Sequence, residues 1–161
     1  PVGKGPSGAM AGKAVGAYHG RSWIPIREER NPKGGDGIGA SHTFHEIQMY
    51  YPMRVVRDRT FKLIWNIAYR QPYPFASDLW AASTWQAQFQ QGPTAKYGNR
   101  TVDSYINRPQ FELYDISSDP AETRNLAADP KFAATLETYK DKLKAMQKRT
   151  GDPWIMKWRY E

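Results

Sequence analysis

Phe111-Glu-Leu-Tyr-Asp-Ile-Ser-Ser-Asp-Pro-Ala-Glu-Thr-Arg-Asn-Leu126 is the stretch from which the rest of this chain is read. Phe111, Leu113 and Ile116 supply the apolar side of a short strand over 110–116 and its exit. Ser117, Ser118, Asp119 and Pro120 are turn chemistry, since proline presets φ and the Asp and Ser side chains bond nearby backbone. Asp119 is placed to cap a helical turn that has Pro120 at its first position. The segment therefore predicts a strand, a turn and a helix start, in that order.

Downstream, Phe132, Leu136, Tyr139, Leu143 and Met146 recur at spacings of 4, 3, 4 and 3. They form one apolar stripe on a helix over 130–149, the pattern of a core face against a sheet. Asp129-Pro130 starts this helix, and Gly151 with Pro153 stops it. Upstream, Ser41–Tyr51 reads as one strand, with Phe44 and Tyr50 on one side and Ile47 and Met49 on the other. Pro52 interrupts or ends it. Arg54–Arg57 and Thr60–Ala68 read as a hairpin turning at Asp58-Arg59. Leu79, Ala82, Trp85 and Phe89 predict a helix over 78–91, ended by Gly92-Pro93. Residues 94–108 read as loop, as does the Gly-rich run 31–39. The sum is an α+β fold: an antiparallel sheet of about four strands covered by a C-terminal helix.

At 161 residues, 40% hydrophobic and 14% aromatic, the chain has the material for one packed domain. Residues 1–18, rich in Gly and small side chains, are expected to be a flexible leader, with the domain running over 19–161. The first residue is Pro, so a processed or truncated product is expected. The net charge of +7 suits a basic soluble surface or attraction to a polyanion. No zinc-finger spacing or RNA-recognition strand is present, so no nucleic-acid partner is expected. No stretch has transmembrane length. With no cysteine, disulfides and thiolate metal sites are excluded. Asn99-Arg-Thr101 is a glycosylation sequon, a triplet that often arises by chance.

The strand ending Glu-Leu-Tyr-Asp115, followed by Asp119-Pro, Glu122-Thr and Asn125-Leu, resembles a signature near the C-terminus of the sulfatases. Arg54-Val-Val-Arg-Asp-Arg-Thr-Phe-Lys-Leu-Ile-Trp-Asn66 is similar to the hairpin that precedes it in that family. Ser41-His-Thr-Phe-His-Glu-Ile-Gln-Met-Tyr-Tyr-Pro-Met-Arg54, Gly20-Arg-Ser-Trp-Ile-Pro-Ile26 and Asp152-Pro-Trp154 resemble its heparan-acting sulfamidase branch. The resemblance implies the C-terminal subdomain of an alkaline-phosphatase-like hydrolase. It also implies an N-terminal catalytic domain as partner, a sulfated glycan as substrate, and a periplasmic, secreted or lysosomal setting. In that family a formylglycine nucleophile and a Ca²⁺ ion act in the larger N-terminal domain.

Neither group has a place in this sequence. Ser22-Trp-Ile-Pro-Ile-Arg27 misses the family's Cys/Ser-x-Pro-x-Arg spacing, and Ser118-Asp-Pro-Ala-Glu122 lacks the Arg. No catalytic residue and no metal ligand are therefore expected here. His42-Thr-Phe-His45-Glu46 matches neither His-Glu-x-x-His nor His-x-x-Glu-His. On a strand His42 and Glu46 share a face, and His45 takes the other. His45 is either a hydrogen-bonded strand-edge histidine or, as the resemblance implies, part of a sugar-facing pair with Glu46. Tyr50 and Tyr51 are the aromatic candidates beside them, for stacking on a sugar or, for at least one, for core packing; Tyr51 is taken into the expected set. Arg54 is a candidate for pairing with Glu46 or with an anionic substrate, or for a structural ion pair at the domain interface. The expected substrate-binding set is thus His45, Glu46, Arg54 and Tyr51. The alternative for the whole chain is a free-standing carbohydrate- or polyanion-binding module without catalysis.

Overall fold

A computed structural model describes residues 37–45 and 49–160, together with Ile24, Arg27, Glu28 and Arg30. The chain divides into two compact units, Pro1–Asp36 and Gly37–Glu161. In the first, the Arg27 amide donates to the Ile24 carbonyl. The expected leader 1–18 and its boundary at 19 lie outside the described residues.

The second unit is built on a four-stranded sheet. Strands β1 (Ile38–His45), β2 (Met49–Arg57) and β3 (Phe61–Asn66) run as an antiparallel meander. The strand at Phe111–Asp115 completes the order β1-β2-β3-β6, antiparallel to β3. The connection 67–110 carries short helices α1 (Ser77–Ala81), α2 (Ser83–Phe89) and α3 (Val102–Ile106). Between α2 and α3 lies a small hairpin, β4 (Lys96–Tyr97) with β5 (Arg100–Thr101), so the strand at 111–115 is β6. Helix α4 (Ala133–Thr150) and a 3-10 turn, Pro153–Arg159, end the unit.

The expected single strand over 41–51 is instead two. Phe44 pairs with Tyr50 and His45 with Met49, so the chain reverses between them. Phe44 thus belongs to one strand and Met49 and Tyr50 to the next, while Ile47 lies outside the described residues. Pro52 does not end β2 but lies inside it. His42 pairs with Met53 while Phe44 pairs with Tyr50, so β2 carries one extra residue there. A bulge is where proline, lacking an N–H, fits within a sheet. The Gly-rich run also enters the sheet earlier than expected, since β1 begins at Ile38. A Cβ on Gly39 would fall 1.6 Å from Met146 Sδ, so glycine gives α4 room against this strand.

The helix stripe packs as the spacing predicts. Tyr139 and Leu143 join Val56, Leu63, Trp65, Ile67, Leu113 and Leu126 in one core, with Phe132, Leu136 and Met146 against it. Leu63 faces Val56 on one side and Leu113 on the other. Each such side chain contributes about 1.5–3 kcal/mol by burial. Gly151 closes the helix in the left-handed region at φ 66°, and the Asp152 amide donates back to the Gln147 carbonyl.

The opposite face is covered by the connection. The helix expected over 78–91 is broken at Ala82, which is extended at ψ 123°. In a continuous helix of about 3.6 residues per turn, Trp80 and Phe89 would point to opposite sides. The break brings both rings to Phe75, with centroids 5.4 and 6.2 Å away. Residues 94–108, expected as loop, contain the β4–β5 hairpin and α3, whose capping box pairs Thr101 with Ser104. The hairpin turns at Gly98, φ 63°. Its Arg100 donates to the buried Glu112, which also accepts from Asn66 Nδ2 and the Tyr114 hydroxyl. Burial works to raise the Glu112 carboxyl, but these donors outweigh it and hold it below its ordinary value.

The opening stretch departs from expectation after β6. Residues 117–126 hold no helix. Asp119 accepts from the Thr123 and Arg124 amides and so closes a turn, where it was expected to cap a helix. Glu122 takes φ 53° there and pairs with Lys62. Asn125 then acts as a short neighbouring strand. Its Oδ1 accepts from the buried Leu113 amide and its Nδ2 donates to the Phe111 carbonyl. Replacing Asn125 with Ala should cost about 1–3 kcal/mol in urea unfolding, because the Leu113 amide loses its partner. Arg124→Ala next door, at an exposed ion pair, should stay within about 0.5 kcal/mol.

Candidate functional site

Of the expected site residues, the described chain brings His45, Tyr51 and Arg54 to the β1–β2 pair, while Glu46 lies outside the described residues. His45 ends β1 and is exposed.

Arg54 is buried, and its donors are held inside the domain. Nε donates to Asp152 Oδ2 at 2.6 Å and Nη2 to Oδ1 at 2.9 Å. Nη1 donates to the carbonyls of His42 and Met53. The guanidinium also lies 5.9 Å from the Trp154 ring centroid. The ion pair of Arg54 is thus one inside the domain, with Asp152.

Tyr51 is fully buried, at 0% exposure, and its ring meets Tyr73 edge-on at 5.0 Å. No face of it is open to a sugar, which corrects the expectation that it stacks on substrate. Burial pushes its hydroxyl up to about 12. The exposed aromatic is its neighbour Tyr50, at 50%. The bulge separates these adjacent tyrosines into core and surface, and alternation alone does not say which goes where.

Beside Tyr51 lies a donor-rich corner. Arg108 stacks 3.7 Å above the Tyr73 ring centroid and donates to the Tyr105 carbonyl. His42 Nε2 is buried with no hydrogen-bond partner among the described residues, as is the Tyr51 hydroxyl. Burial, and then the nearby His45, Arg108 and Arg54, hold the His42 imidazole below its ordinary value. The arrangement keeps His42 neutral near pH 7 beside a fixed cation. Local pattern gives no signal for Arg108, because only the long connection brings it to β1 and β2. Among the described residues no group of three His, Cys, Asp or Glu side chains is disposed to hold a metal. No described helix is long and apolar enough to cross a membrane.

No family model matches the chain. It is 38% identical over 154 residues to human N-sulphoglucosamine sulphohydrolase, covering 93% of this chain and 30% of that protein. An ulvan-active sulfatase of Formosa agariphila is 24% identical over 144 residues, covering 88% and 26%. A solved 2-O GAG sulfatase aligns with a TM-score of 0.56 at 22% identity, over 92% of this chain and 24% of that one. A protein solved with its substrate D-glucosamine-2-N,6-O-disulfate aligns with a TM-score of 0.51 at 17% identity, over 83% and 20%. The two structural likenesses speak for the fold. The four-stranded antiparallel sheet with its C-terminal helix and this sequence likeness make the chain similar to a C-terminal part of sulfatases. It spans less than a third of the length of the two sequence relatives.

The family's metal and formylglycine do not fit the residues present. The chain has no Cys and no Cys/Ser-x-Pro-x-Arg segment. No described cluster offers ligands to a cation.

Two measurements check this site. Arg54→Ala should lower stability by about 1.5–3 kcal/mol, because the part-buried Asp152 loses its charged donor and keeps only Gln147 and the Trp154 amide. Burial opposes the Asp152 charge, yet Arg54, Gln147 and the Trp154 amide hold its carboxyl below the ordinary value. Its stabilisation is full above the unfolded Asp value of about 3.9 and is lost as pH falls through the depressed folded one. The variant should therefore lose part of this acid dependence. By NMR, His42 should titrate below about 6.5, and Arg108→Gln should move its midpoint upward.

Proposed function

We propose that this chain is the pocket-shaping C-terminal domain of a sulfatase that hydrolyses sulfamate or sulfate ester groups on heparan-type glucosamine. The nucleophile and the Ca²⁺ site belong to an N-terminal catalytic domain, which is this domain's partner. The observation that carries the reading is the 38% identity, over 93% of the chain, to a protein named for N-sulphoglucosamine hydrolysis. His45 and Glu46 form the sugar-facing wall, where an imidazole donates to a sulfate or carboxylate oxygen and a carboxylate accepts from sugar hydroxyls. Arg54 serves that wall indirectly, by fixing the His42 carbonyl behind it.

The edge of the sheet supports a partner domain over a free-standing module. Strand β1 leaves Ile38 65% and Phe44 69% exposed. Large apolar side chains on an edge strand invite cover. The expected periplasmic, secreted or lysosomal setting goes with this reading.

The chain alone, given Ca²⁺ and N-sulfated glucosamine, should release no sulfate; genuine turnover would overturn the division of labour. In a full-length protein carrying this domain, His45→Ala should lower kcat/KM about tenfold or more at unchanged Tm, equivalent to about 1.4 kcal/mol. An unchanged kcat/KM would remove His45 from the wall.

A further inference from the structure

The triplet Asn99-Arg-Thr101 has the form of a glycosylation acceptor, and form alone decides little, because such triplets often arise by chance. A working acceptor also has to lie on a surface loop with room around it. Tyr97 pairs with Arg100, so Gly98 and Asn99 make the turn of the β4–β5 hairpin. Asn99 is exposed, and among the described residues its side chain has no hydrogen-bond partner. The space at the turn is open, since a Cβ on Gly98 would meet nothing within 4 Å.

We propose that Asn99 is an N-glycosylation site. The donor is an oligosaccharide joined through a diphosphate to a lipid. Asn99 Nδ2 attacks C1 of the first sugar, and the N–C1 bond forms as the bond from C1 to the diphosphate oxygen breaks. The lipid diphosphate leaves, one amide proton passes to a base of the transferase, and nothing is oxidised or reduced.

The folded hairpin gives up no bond to carry this group. Its hold on the domain runs through the neighbours of Asn99: Arg100 donates to Glu112 and to the Tyr114 hydroxyl, and Thr101 accepts from the Ser104 amide. That cap occupies the Thr101 hydroxyl, the third element of the acceptor triplet. Transfer therefore precedes the closing of α3, and the glycan is in place before the hairpin docks. Position suits it too. Arg100 fastens the hairpin to β6, whereas β1 and His45 form the opposite margin of the sheet. Three strand spacings separate the two margins, roughly 14 Å. A glycan on Asn99 thus leaves β1 and the proposed sugar-facing wall clear, and it marks the β6 side as the side turned to solvent in the assembled protein.

The inference rests on the secretory setting proposed above and uses none of the substrate-wall residues. The test is mass spectrometry of a full-length protein carrying this domain, made in eukaryotic cells and recovered from the medium and the secretory membranes. The peptide spanning residue 99 should carry a glycan in most copies. Enzymatic release of the glycan in heavy-oxygen water should convert Asn99 to labelled Asp. Asn99→Gln should abolish the modification at this position, with kcat/KM and Tm of the protein unchanged. Thr101→Ser, which keeps a hydroxyl for the transferase and for the cap, should retain it. An Asn99 left unmodified in most copies would overturn the proposal. A gain in kcat/KM in Asn99→Gln would overturn the placement of the glycan away from the substrate wall. A modified protein that releases no sulfate from N-sulfated glucosamine would count against the proposed activity and leave the site standing, so the two ideas fail separately.

Discussion

The bidentate pair between Arg54 and Asp152 is the constraint on which the second unit depends. Arg54 lies in the sheet and Asp152 just past α4, so the pair fastens the end of the helix to the strands. Removing two charges from water carries a desolvation penalty of several kcal/mol per ion. It is tolerable here because the polar atoms around it are used. Arg54 also bonds the carbonyls of His42 and Met53, close to the bulge. Asp152 accepts from Gln147 and from the Trp154 amide. Gln147 in turn accepts from the Trp158 indole, and that ring stacks on Trp65 at 4.0 Å. One ion pair thereby sets the pose of both tail tryptophans.

The other face of the sheet has a second polar clasp, with a different task. Glu112 is 1% exposed and gathers donors from β3, from its own strand and from the β4–β5 hairpin. Arg100 adds a charged tie between the long connection and the sheet, beside the aromatic contacts and the Asn66 Nδ2 bond to the Pro109 carbonyl. With it, the cluster around Phe75 and Trp85 is fixed against the sheet, and the Tyr51 ring is sealed beneath Tyr73. Each face therefore combines apolar packing with one carboxylate, buried at Glu112 and part-buried at Asp152, that takes an arginine from a distant part of the chain.

What could be read from the sequence was local. The α4 stripe, its glycine stop and the turn at Asp58 follow from side chains a few residues apart. Asp58 does accept from the Thr60 and Phe61 amides. The antiparallel sheet of about four strands and the helix that covers it followed from those elements. What escaped reading was set by distance. Apolar side chains on both faces of residues 41–51 suggested one strand, because the reversal after His45 has no Gly or Pro to mark it. The break at Ala82 depends on Phe75 gathering rings from both sides. Tyr50 and Tyr51 look equivalent in sequence, and only the pairing with β1 decides which is buried. Arg108 reaches β1 and β2 only once the whole connection has folded. The sulfatase resemblance survived these errors, because it rested on strings of residues rather than on element boundaries.

The Asn125 side chain, bonded along β6, makes the two margins of the sheet unequal. The outward amide of Leu113 goes to the Asn125 side chain and its carbonyl to the Leu126 amide, while the Phe111 carbonyl takes the Asn125 amide. Backbone groups already engaged this way cannot template another strand. Strand addition is therefore barred along this stretch of β6, so a single asparagine side chain closes one margin of the sheet.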